Sequence, residues 1–170
     1  MSAALRRLVS AGALSLLVVT LGCPEAEPPT PKEAARSQAV LLDWFECEEC
    51  DAGELEAVAE LGDATVDLLG AVVVRGLAPA ARARLEDQLL ERYRAREAYG
   101  EQYPALAPRM DRETFVAHHL GSRDSQYRER AVLALQRIAT RAARDALRAA
   151  QGQTGHAGIE REIARALTEM

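Results

Sequence analysis

The chain has 170 residues with 21 basic and 26 acidic side chains, a formal charge of −5. That surplus of acid excludes non-specific nucleic-acid binding, which needs a basic face, and adhesion to anionic lipid through charge alone. Aromatic residues make up only 4% of the chain, so its core must be built from Leu, Val and Ala, and the length supports one such core.

The first segment pairs Arg6 and Arg7 with an apolar block from Leu8 to Leu21, followed by Gly22-Cys23. The block falls short of the roughly 20 apolar residues of a membrane-spanning helix. A basic start, an apolar middle and a small residue before the cysteine have the order of a cleaved export signal. Val19-Thr20-Leu21-Gly22-Cys23 resembles the lipobox of bacterial lipoproteins, with Thr20 and Leu21 in the reverse of the usual order. The resemblance implies cleavage before Cys23, lipidation of Cys23 and a membrane contact made through the lipid anchor. An ordinary signal cut near Gly22, or an uncleaved anchor, is the other reading. Pro24 stands where Asp would favour inner-membrane retention, so the expected location is the outer membrane, facing the periplasm. Removal of residues 1–22 takes away two arginines and no acid, which leaves 19 basic and 26 acidic side chains and a formal charge of −7.

Residues 23–37 hold the cysteine and a segment with four prolines and no large apolar side chain, which reads as an extended spacer. Residues 38–170 read as an all-α domain. Val40, Leu41, Trp44 and Phe45 share one helical face. Asp51 and Glu54 have the spacing of a capping box for a helix carrying Leu55, Val58, Ala59 and Leu61, closed by Gly62. Asp63 is the expected cap of the next helix, with Val66, Leu69 and Val73 inward. Its stretch Ala71 to Val74 is β-branched enough to read as strand too, but residues 68–74 have no evident strand partner. Pro79 opens a long helix with Ala81, Leu85, Leu89 and Tyr93 inward, extended by Tyr99 and Tyr103 and ended by Pro104 and Pro108. Asp111 caps a short helix with Phe115, Val116 and Leu120, closed by Gly121. Asp124 or Ser125 then caps a separate helix with Tyr127, Ala131, Ala134, Leu135 and Ile138 inward. Thr140 starts a helix with Ala143, Ala146, Leu147 and Ala150. Residues 152–158 form a loop, and Ile159, Ile163, Ala166 and Leu167 mark the last helix.

The segment from Tyr127 to Ile138, followed by Ala142 to Leu147, resembles a HEAT-type repeat, a pair of antiparallel helices; residues 54–69 carry a weaker copy. The resemblance implies helical hairpins, stacked as a short solenoid or gathered as an irregular bundle. The whole chain also resembles small exported helical-repeat lipoproteins of myxobacteria. That likeness implies a surface for binding a protein partner rather than a catalytic centre.

Chemistry-bearing residues are few. Cys47 and Cys50 admit three readings: a disulfide, a redox pair, or half of a metal site. Glu46, Glu48, Glu49, Asp51 and Glu54 surround them with negative charge, which works against a reactive thiolate. The only histidines are His118, His119 and His156; the first two point about 100° apart on a helix and are poorly placed to share an ion. No catalytic motif, cofactor site or complete metal-ligand set is expected. The expected function is therefore a non-catalytic interaction or scaffold module, with thiol-redox or metal-binding chemistry at Cys47 and Cys50 as the alternative. The candidate partner-contact residues are Tyr93, Tyr99 and Tyr103, which otherwise cover the edge of the core.

Overall fold

The computed structural model describes residues 30–47 and 50–170. The expected export signal, Cys23, residues 24–29 and the pair Glu48 and Glu49 lie outside the described residues. Among the described residues the chain forms seven α-helices and no strand, an all-α architecture.

Helix α1 spans Pro31–Glu46. Thr30 accepts a hydrogen bond from the Glu33 N–H, and Glu33 accepts one from the Thr30 N–H. This capping box has proline at the first helical position, where its missing donor costs nothing. Residues 31–37 are therefore helical. Their composition reads as an extended spacer, and the part of α1 that packs on the core begins at Val40.

Helix α2, Ala52–Ala59, begins at the expected Asp51 and Glu54 capping box. Gly62, at φ +59°, then opens a short 3-10 turn, Gly62–Thr65. Helix α3, Val66–Arg75, includes Ala71 to Val74, so the helical reading of that stretch holds. Asp63 does not cap it. The capping position is Thr65, whose side chain makes no cap bond, and Asp63 instead accepts from the Thr140 hydroxyl at 2.5 Å.

Helix α4, Pro79–Gln102, starts at Pro79 as expected and lies at 52° to the segment that ends with α3. Leu89 and Tyr93 are buried. Tyr99 and Tyr103 do not extend their face: they are 54% and 47% exposed. Gly100 is needed near the end of α4, because a Cβ there would come within 2.7 Å of the Ala107 Cα.

Helix α5 runs unbroken over Arg112–Ile138 from its cap at Asp111. The expected stop at Gly121 and restart at Asp124 or Ser125 do not occur. One interior glycine costs a helix only about 1 kcal/mol, and Asp124 is engaged elsewhere. Its carboxylate accepts from the Leu77 N–H at 2.9 Å and from Arg128 Nε at 2.8 Å. Arg128 also donates to the carbonyls of Val73 and Val74, the last turn of α3. Gly76, at φ +68°, completes this lock, since a Cβ on it would overlap the Asp124 carboxylate. The α3–α4 turn is thus clamped to the middle of α5.

Helices α6, Arg141–Ala150, and α7, Ala157–Glu169, follow as expected, with Thr140 accepting from the Ala143 N–H to cap α6. Helix α5 touches all six of the others. In a solenoid each repeat meets only its neighbours, so this arrangement is a bundle around one central helix. Helices α5 and α6 do pack as the hairpin that the repeat resemblance implies, whereas α2 packs chiefly on α1 and α5.

The main core joins Leu41, Trp44, Phe45, Val58, Leu69, Val73, Leu135, Leu147 and Ile163. A smaller cluster of Leu89, Tyr93, Phe115, Val116 and Leu120 holds α4 to the first half of α5, where the Tyr93 hydroxyl donates to the Met110 carbonyl at 3.1 Å.

Burial pushes the Asp124 carboxyl upward, but the Arg128 and Leu77 hydrogen bonds outweigh it and hold the group below its ordinary value. A depressed carboxylate stabilises the fold fully above its unfolded value of about 3.9 and loses that contribution as pH falls below it. Asp124→Ala, which leaves the Arg128 charge buried without its acid, should cost about 3 kcal/mol in urea unfolding at pH 7. The variant should also lose less further stability than the parent as pH is lowered from about 4.

Candidate functional site

Because α3 and α4 diverge after the clamped turn, a gap opens between α1 and α4. It is a trough of about 1610 Å³ lined by α1, α3, α4 and α5. Its apolar lining includes Leu41, Leu42 and Phe45 from α1, Leu68 and Val72 from α3, and Leu85 and Leu89 from α4. Two of these leucines are strongly exposed: Leu42 at 52% and Leu68 at 53%. Leu85 is half-buried. Three helices therefore each direct a leucine into one open depression, an arrangement that costs solubility unless something covers it.

The charged residues along the trough are four arginines, Arg75, Arg84, Arg92 and Arg123, and one acid, Glu46. Arg123 forms an ion pair with Glu46, which also accepts from the Tyr127 hydroxyl. None of the other three arginines pairs with an acid among the described residues. The trough is thus locally basic on a chain that is acidic overall. His119 also lines it, stacked edge-on against Phe115 with ring centroids 4.4 Å apart. Burial, helped by the neighbouring charges of His118, Arg96 and Arg92, pushes His119 below its ordinary value and favours the neutral ring.

One wall of the trough is fixed by the cysteine region. Cys47 caps the C-terminus of α1 and is joined to Cys50 in a disulfide, with Cα atoms 5.5 Å apart. Arg130 of α5 donates to the carbonyls of Trp44, Phe45 and Cys47 at 3.0, 2.6 and 2.6 Å, satisfying the acceptors that a helix end leaves open. The Trp44 indole N–H donates back to the Arg130 carbonyl at 3.2 Å, and Phe45 stacks on Tyr127 with centroids 4.9 Å apart. Cys47 therefore sits at the negative end of a helix dipole, which disfavours a thiolate.

The other sequence-derived candidates separate in space. Tyr93 is buried, with its hydroxyl committed to Met110, and is withdrawn from any partner. Tyr99 and Tyr103 are exposed and lie against one another with centroids 4.9 Å apart, outside the trough. His118 is exposed, and His156 stands at the capping position of α7 without a side-chain cap bond. Among the described residues no three His, Cys, Asp or Glu side chains converge as a metal-ligand set, and no single helix is long and apolar enough to cross a membrane. The trough arginines carry no signal in the sequence: α4 holds five arginines and five acids, and only the fold decides which of them face the trough.

Comparison with known protein families, with curated proteins and with solved structures finds no match to this chain.

A disulfide that closes a four-residue loop should contribute about 2 kcal/mol through the unfolded chain. Replacing both cysteines, Cys47→Ser with Cys50→Ser, should lower stability by that amount in denaturant unfolding. Near-ultraviolet circular dichroism should still report a packed Trp44, since Arg130 keeps its three carbonyl partners.

Proposed function

We propose that this protein is a non-catalytic interaction module of the bacterial cell envelope, anchored by a lipid on Cys23 and presenting the trough between α1 and α4 to a protein partner. The observation that carries the reading is the trough itself: Leu42 and Leu68, each about half exposed, with Leu85, on three helices facing one depression. Exposed leucines gathered in a depression rimmed by charge are the usual anatomy of a recognition surface, an apolar centre with a polar margin. The cysteine pair supports this as a structural staple. It closes the end of α1, the wall that contributes Leu42, and ties it to the start of α2.

Two measurements test the reading. Cys23→Ser should move the protein from the membrane pellet to the soluble periplasmic fraction; retention in the pellet defeats the lipid anchor. A photo-crosslinking residue at position 68 should give a discrete adduct in cells, and one at Leu133, on an exposed face away from the trough, should not. Equal capture at both positions defeats the trough as the contact surface.

A further inference from the structure

We propose that the occupant of the trough is a short amphipathic helix of a partner protein, with acidic residues flanking its apolar stripe. The inference rests on the trough being the interaction surface and adds the chemistry of what fills it.

Size permits a helix. An α-helix with its side chains is about 10 Å across, and a depression of about 1610 Å³ is roomy enough to seat the apolar face of a short one. The spacing of the apolar contacts suits a helix too. Leu42, Leu68 and Leu85 come from three separate helices, so an apolar stripe at i, i+3, i+4 and i+7 meets a leucine on each wall.

Charge fixes the sign of the partner. Arg75, Arg84 and Arg92 border the trough without an acid partner among the described residues, and the one acid in the lining, Glu46, is already taken by Arg123 and Tyr127. The rest of the chain is acidic, so a basic partner would find more favourable surfaces elsewhere, and the trough is where an acidic helix is attracted rather than repelled.

The test is a selection on the chain as purified from its expressing cell. The probe is a displayed library of short peptides with Leu fixed at helical spacing and the remaining positions drawn from Glu, Lys, Ser and Ala. Selected peptides should be enriched in Glu over Lys by at least about threefold, and their affinity should fall with added salt. Leu68→Glu, at an exposed site that the fold tolerates, should weaken the selected peptides about tenfold or more. The pair Arg84→Glu and Arg92→Glu should reverse the preference toward Lys, and Leu133→Glu should change nothing. Enrichment of Lys, or no preference, overturns the acidic partner while leaving the trough as a binding surface. Peptides that bind regardless of Leu68→Glu, or no selectable peptide at all, overturn the helix-in-trough proposal. In either case the crosslink at position 68 decides separately whether the trough meets a protein in the cell.

Discussion

The architecture depends on one buried ion pair. Asp124 and Arg128 lie one turn apart on the central helix, and between them they hold a backbone N–H of Leu77 and the carbonyls of Val73 and Val74. A buried carboxylate or guanidinium alone would cost several kcal/mol. Here each charge meets the other and also satisfies backbone groups stranded at the end of α3. The pair therefore does work that a hydrophobic substitute cannot: it sets the place and direction in which the chain leaves α3. That exit direction carries α4 away from α1, and the gap between them is the trough. The same residues that stabilise the turn thus create the surface read as functional.

Local signals in the sequence were strong where a helix begins with its own side chain or buries a regular stripe. Asp51 with Glu54, Pro79, Asp111 and Thr140 all mark true starts. The inward sets around Leu135, Leu147 and Ile163 all pack on the core, buried or, at Tyr127, Ile138, Ala146 and Leu167, half-buried. Thr30-Pro31-Lys32-Glu33 carried an equally clear start, but the prolines before it gave the whole segment the composition of a spacer. Asp124 misled for a different reason. A short acid after a glycine and before an apolar run has the look of a cap, and only a turn 47 residues earlier reveals its use.

The trough was less legible because it is a gap, defined by what does not pack. Leu42 and Leu68 sit beside core residues, Leu41 and Leu69, and a periodic pattern cannot say which of two adjacent leucines is left outside. The unpaired state of Arg75, Arg84 and Arg92 likewise depends on which acids the fold brings near. Tyr93, Tyr99 and Tyr103 look equivalent in sequence at close to helical spacing, yet one is sealed under Met110 and two stand in solvent.

The early start of α1 gives it a mechanical role. From the capping box at Thr30 the chain is a stiff rod of 16 residues whose far end is bolted to the bundle by Arg130, Glu46 and the disulfide. That rod is also one bank of the trough. A shift of the Arg130 side chain against the end of α1 would therefore be felt as a change in the width of the trough.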